Sequence, residues 1–143
     1  APITAYNRIS SAPITVHSNI YEPDYVVVVD ESLLESIDVT KGLNPEGAVI
    51  VNSTCGREEI ADKLHGYKGA VYTVDAKAIS IKALGKNYPN SPMLAATVAV
   101  SKVMGKEEFL KEMKASFHHK FAKKPEVIDG NMMALELAFA QAE

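Results

Sequence analysis

Residues 19–34 read NIYEPDYVVVVDESLL, and the run Tyr25-Val26-Val27-Val28-Val29 within them decides the fold class. Apolar, mostly β-branched residues in unbroken succession mark a strand buried on both faces, the habit of parallel sheets covered by helices. Pro23 cannot donate to a sheet ladder and disfavours helix at Glu22, so a fresh element starts after it. The pattern returns at Ala48 to Val51, ending in Asn52, and at Ala70 to Val74, ending in Asp75. Between and after these runs the period becomes helical. Arg57 to Leu64 sets Ile60, Ala61 and Leu64 on one face before Gly66, and Ala76 to Leu84 sets Ile79, Ala83 and Leu84 before Gly85. Ser32 to Ile37 predicts a shorter helix after the first strand. Crossovers between parallel strands of one sheet are right-handed almost without exception. The middle of the chain is therefore α/β.

Outward from this centre, Ile3 to Ile9 and Pro13 to Val16 are apolar and β-branched, with Ser10-Ser11-Ala12-Pro13 between them. They predict an N-terminal hairpin. On the other side the C-terminal third is helical. Pro92 suits a first helical turn, and Met93 to Met104 is apolar on every side, as a buried helix is. Lys106 to Phe117 opposes Phe109, Leu110, Met113 and Phe117 to Lys111, Glu112 and Lys114. A last helix opens at Pro125 with Ile128, Met132, Leu135 and Phe139 on one stripe, at the cost of about 1 kcal/mol for Gly130 relative to Ala.

Composition limits the function. The chain has 143 residues, 47% hydrophobic and 23% charged, with a formal net charge of -3. That is one soluble domain with no electrostatic footprint for nucleic acid or an anionic membrane. Its longest apolar runs fall far short of the ~20 residues of a membrane span, and its first residues lack the basic patch and apolar stretch of a signal peptide. The single cysteine, Cys55, cannot close an internal disulfide or supply the thiolates of a structural zinc or iron-sulfur site. A reducing cytoplasm fits best. The chain starts Ala1-Pro2-Ile3 without Met, which predicts that the natural start has been lost.

In open parallel sheets ligands gather at the carboxyl ends of the strands. Asp30, Asn52, Ser53, Thr54 and Asp75 all fall there. The competing reading is structural, because Asp and Asn end strands by capping the next helix or starting a turn. A dinucleotide site would need G-x-G-x-x-G after a strand, and the glycines at 42, 47, 56, 66, 69, 85, 105 and 130 make neither that motif nor a P-loop. Asp30 thus lacks the glycine turn of a ribose-binding acid. Cys55-Gly56 offers a thiol at a helix start, against the commoner role of a small packed residue. His118 and His119 are adjacent and point to different sides of a helix, so a solvated helix end is the better reading than a metal site.

Taken with Gly42-Leu43-Asn44-Pro45-Glu46-Gly47-Ala48-Val49-Ile50-Val51-Asn52-Ser53 and Val71-Tyr72-Thr73-Val74-Asp75-Ala76, the opening stretch resembles the gamma subunits of 2-oxoacid:ferredoxin oxidoreductases, nearest those of the pyruvate enzymes, the pyruvate synthases. Asn90-Ser91-Pro92-Met93-Leu94-Ala95 and Phe121-Ala122-Lys123-Lys124-Pro125-Glu126-Val127-Ile128-Asp129-Gly130-Asn131 continue the similarity. Each motif is mainly strand core or turn, and their order and spacing carry the resemblance. It implies an α/β, three-layer Rossmann-like domain with a mostly parallel sheet, an N-terminal hairpin and a helical C-terminal third. One gamma-type domain over residues 1–143 is expected, lacking the strand, glycine-rich turn and helix with which the family begins.

The resemblance also implies a reaction, the oxidative decarboxylation of pyruvate with coenzyme A to acetyl-CoA and carbon dioxide, with reduction of ferredoxin. Thiamine diphosphate, magnesium and 4Fe-4S clusters would reside on alpha, beta and delta partners, and this chain alone would bind no cofactor and carry no catalytic residue. Asn52, Ser53 and Asn90 are then expected on the coenzyme A side, as polar groups beside strand or helix ends. A related enzyme acting on 2-oxoglutarate, branched-chain or aryl oxoacids stays open, as does a free-standing α/β nucleotide-binding module.

Overall fold

The structure, a computed structural model, describes residues 3–142. The three valine-rich runs form strands β1 (Tyr25–Val28), β2 (Ala48–Asn52) and β3 (Ala70–Val74), all parallel, in the order β1-β2-β3. The register pairs Val27 with Ile50 and Ile50 with Tyr72. A 3-10 turn, Glu31–Glu35, follows β1, and helices α1 (Arg57–Asp62) and α2 (Ala76–Leu84) follow β2 and β3. Helices α3 (Asn90–Ser101), α4 (Lys106–Lys120) and α5 (Pro125–Ala142) complete the chain.

The alternation of side chains along each strand splits the core in two. On one face Val28, Val49, Val51 and Val71 pack with Leu34, Leu43, Ile60 and Leu64. On the other, Ile50 and Val74 pack under Met93, Phe109, Leu135 and Phe139 from the C-terminal helices. This is the three-layer arrangement expected, and its sheet is wholly rather than mostly parallel among the described residues.

Two helix ends explain their own sequence. Gly85 closes α2 in the left-handed region, at φ 73°, its N–H donating to the Ile81 carbonyl, where a Cβ would be strained. Gly130 sits inside α5 for another reason: a Cβ there would lie 2.8 Å from both the Ala83 carbonyl oxygen and Leu84 Cδ2. The helix-propensity cost of Gly130 is the condition for α5 to lie close against α2. Helix α3 ends at Ser101, short of the expected Met104, because Lys102 turns left-handed at φ 56° and donates to the Val98 carbonyl. Pro92 is its third residue, within the first turn as expected.

Two expectations are corrected. First, β1 is not buried on both faces. Val28 is buried, while Tyr25, Val27 and Val29 are 39%, 38% and 42% exposed, because β1 is an edge strand and the helical layer does not extend over its outer side. Second, the N-terminal hairpin does not form: no strand precedes Tyr25 among the described residues. The chain does double back near Ser10, whose hydroxyl accepts from the Ala12 N–H at 3.1 Å, and the limbs carrying Tyr6 and Ile14 face each other across an open cleft of ≈ 290 Å³. No ladder joins the limbs. The Ser-Ser-Ala-Pro connection lacks the Asn-Gly or Asp-Gly chemistry of a tight hairpin turn, and a two-stranded ribbon without a third layer is marginal in water.

Candidate functional site

The carboxyl edge of the sheet holds the sequence-nominated polar residues. Asn52, last in the central strand, uses both ends of its amide. Its Nδ2 donates to the Val29 carbonyl at 3.0 Å, and its Oδ1 accepts from the Ala76 N–H at 3.0 Å. One side chain thereby ties the end of β1 to the first turn of α2. Ser53, next along, is buried at 6% exposure. Its Oγ donates to Glu31 Oε2 at 2.9 Å and accepts from the Cys55 N–H at 2.9 Å.

The strand-end acids are caps. Asp75 Oδ1 accepts from the Ala78 N–H at 3.0 Å, opening α2. Asp30 Oδ1 accepts from both the Ser32 N–H, at 3.0 Å, and the Ser32 hydroxyl, at 2.7 Å. The hydroxyl bond, then the backbone bond, holds the Asp30 carboxyl below its usual range, since both favour the charged form. The stability these bonds supply is present above the ordinary carboxylate pKa and is lost as pH falls through the lowered one. Ser32→Ala is expected to raise the Asp30 titration midpoint toward the ordinary carboxylate value, read from its side-chain carboxyl NMR shift against pH.

Asn90 stands apart. Helix α2 carries the chain ~13 Å away from the edge at 1.5 Å per residue, and exposed Asn90 opens α3 after the 85–89 connection. The structure therefore brings Asn52 and Ser53 together and does not join Asn90 to them. Cys55 is half-buried beside Ser53. His118 and His119 are exposed in the last turn of α4, where cationic side chains complement the helix dipole. Among the described residues no group of three or more His, Cys, Asp or Glu side chains is arranged to hold a metal ion.

The hydrogen bonds of Asn52, Ser53, Asp30 and Asp75 at this edge run to groups of the chain itself. Known proteins supply the family. A family model described as pyruvate ferredoxin/flavodoxin oxidoreductase matches residues 1–141. The chain belongs to this oxidoreductase family. It is 38% identical over 139 residues to the pyruvate/ketoisovalerate oxidoreductases common subunit gamma of Thermococcus kodakarensis, covering 97% of this chain and 72% of that one. It is 36% identical over 143 residues to the pyruvate synthase subunit PorC of Thermotoga maritima, covering all of this chain and 72% of the relative. The crystal structure of the pyruvate oxidoreductase subunit PORC from Thermotoga maritima superposes with a TM-score of 0.76 at 33% identity, over 85% of this chain and 65% of that one. The chain thus spans about two thirds of the length of these relatives.

In this family member, sequence reasoning missed two partners at the edge. Glu31 receives the Ser53 hydroxyl, and Gln141 Oε1 accepts the Asp75 N–H at 3.2 Å from the far end of the chain. Nothing local in the sequence marks Gln141, which is brought there by the packing of α5. Arg57 lies 5.3 Å above the Tyr72 ring, a cation-π contact that joins α1 to β3. Asn52→Ala would orphan the Val29 carbonyl and the Ala76 N–H together. The expected loss is about 2 kcal/mol, read as a lowered urea midpoint with unchanged slope.

Proposed function

We propose that this chain is the gamma-type, non-cofactor-carrying subunit of a cytoplasmic oxidoreductase that decarboxylates pyruvate with coenzyme A, giving acetyl-CoA and carbon dioxide and passing electrons to ferredoxin. The observation that carries the reading is the family match over residues 1–141. The residues of this chain do not fit a 4Fe-4S cluster, which takes four cysteine thiolates, because the chain has one cysteine. The redox and thiamine chemistry therefore belongs to alpha, beta and delta partners, and this subunit supplies positioning. No helix of the described residues is long and apolar enough to cross a membrane.

Within that role, Asn52 and Ser53 shape the coenzyme A side from the carboxyl edge, and exposed Asn90, beyond α2 and apart from that edge, meets the same ligand at a separate point. In the assembled enzyme, Asn90→Ala is expected to raise the KM for coenzyme A several-fold at unchanged thermal stability, with the KM for pyruvate unmoved. Asn52→Ala and Ser53→Ala are expected to change both coenzyme A affinity and stability. Unchanged coenzyme A affinity in all three would remove the assignment. The subunit role itself is tested by co-purification: a lone stable monomer that binds nucleotide contradicts it.

A second reading concerns the substrate. Relatives are named as a subunit common to pyruvate and ketoisovalerate oxidoreductases. A shared subunit cannot be the one that chooses between two oxoacids, so a branched-chain oxoacid enzyme is an equally natural home for this chain.

A further inference from the structure

We propose that the connection following α2 takes the adenine nucleotide end of coenzyme A, with the Tyr88 ring as the surface on which the base stacks and the lysines around it as partners of the phosphates; this deepens the coenzyme A reading above and rests on it. The ring is the first observation. Tyr88 is 57% exposed, yet its backbone is pinned. Ser80, itself 0% exposed, donates its hydroxyl to the Lys77 carbonyl at 2.9 Å and accepts from the Tyr88 N–H at 3.0 Å. The same N–H also donates to the Lys86 carbonyl at 3.1 Å. A buried serine thus fixes the backbone beneath an exposed aromatic ring, so ordering that backbone is not a cost of binding there. Exposed Asn90 follows at the start of α3.

Charge is the second observation. Lys86 Nζ lies 6.0 Å from the centroid of the Tyr88 ring, and exposed Lys82 is in the last turn of α2. Helix α5 runs antiparallel to α2, since Gln141 meets Asp75 at the start of α2 and Gly130 lies against Ala83 and Leu84 at its end. At 1.5 Å per residue, Lys124 reaches about 9 Å past that last contact. Exposed Lys123 and Lys124 therefore stand at the same end of the helical layer as Tyr88. These lysines outweigh Glu126 and Asp129, the acids of α5 nearest them, in a chain whose formal net charge is -3. The carboxyl edge has the opposite sign, with Asp30, Glu31 and Asp75. Coenzyme A carries a pyrophosphate and a 3′-phosphate beside its adenine, so that end of it calls for an aromatic face and cations in one place. Its uncharged thiol arm suits the carboxyl edge with Asn52 and Ser53. Its anionic end suits Tyr88, Asn90 and the lysines.

The test uses the assembled enzyme with coenzyme A and with adenosine 3′,5′-bisphosphate, a fragment of coenzyme A that lacks the thiol and is expected to compete with it. Tyr88→Ala is expected to raise the KM for coenzyme A on the order of tenfold and to weaken inhibition by the bisphosphate by the same factor, with the KM for pyruvate unmoved. Tyr88→Phe keeps the ring and should stay within about twofold of wild type. Lys86→Gln should raise the KM for coenzyme A and flatten its dependence on ionic strength. A bisphosphate that does not compete in the wild type overturns the nucleotide site. So does an unchanged KM for coenzyme A in Tyr88→Ala where Asn90→Ala raises it, and the coenzyme A reading then stands. If Asn52→Ala, Ser53→Ala and Asn90→Ala leave that KM unmoved as well, the coenzyme A reading falls, so the two failures are separable. Loss of the assembled complex in Tyr88→Ala and not in Tyr88→Phe makes the ring a contact between subunits and also overturns the proposal.

Discussion

Ile50→Ala is expected to lower the unfolding free energy by about 4 kcal/mol, toward the upper part of the range for buried isoleucines. Ile50 is 0% exposed and sits in the middle of the central strand, between Val27 and Tyr72. Its side chain is on the face covered by the C-terminal helices. The neighbours on either side are held by strand ladders, so the cavity cannot collapse cheaply. Ile50→Val should cost only about 1 kcal/mol. The chain has no Trp, so far-UV circular dichroism against urea is the suitable measurement. A fall in midpoint at constant slope assigns the loss to the native state. A cost under about 1.5 kcal/mol for the Ala variant would mean that the helical layer moves in to fill the space.

Gly47→Ala is expected to cost about 3 kcal/mol, for a reason that has nothing to do with φ. A Cβ at Gly47 would overlap the Asp24 carbonyl oxygen and lie 3.1 Å from the Asn44 carbonyl oxygen. Both obstacles are backbone. The Asp24 carbonyl cannot retreat without losing the Ala48 N–H, which it accepts at 3.1 Å at the point where β1 and β2 come into register. Overpacking of this kind costs 1–3 kcal/mol or more, and the lost bond adds about 1 kcal/mol. Gly105→Ala is the control. Nothing lies within 4 Å of its added Cβ, so its effect should stay within about 1 kcal/mol of zero. Thermal melts of the two variants side by side decide the matter.

The strands were legible because Tyr25 to Val29, Ala48 to Val51 and Ala70 to Val74 are runs of apolar and β-branched residues without the regular polar alternation of a half-solvated strand. Helix ends were legible where a residue has only one use, as Gly85 does. What periodicity cannot say is whether a neighbour is present. Val27 and Val29 have the sequence of an interior strand and the exposure of an edge. Ile3 to Val16 has the composition of a hairpin without a sheet to complete it. At the carboxyl edge, the residue types were nominated correctly as polar strand ends. Their hydrogen bonds to Val29, Ala76, Glu31 and Gln141 depend on tertiary distances that no local pattern encodes. Asn90 was grouped with Asn52 and Ser53 on polarity, and α2 is what separates them.

The turn that receives Pro23 and Asp24 fixes how the chain before it leaves the sheet. The Asn44 N–H donates to the Pro23 carbonyl at 2.9 Å, Asn44 Nδ2 donates to Asp24 Oδ1 at 3.2 Å, and Gly42 and Gly47 leave room for the Tyr21 and Asp24 carbonyls. The root of the N-terminal segment thus has no hinge: its last fixed peptide is also the first rung of the sheet. The segment takes its bearing from the sheet as a bracket does from the beam it is bolted to, with the angle between them set at the bolt. Lengthening the chain between Tyr21 and Tyr25 would turn that bracket into a tether, and the two bodies would then keep their attachment while losing their alignment.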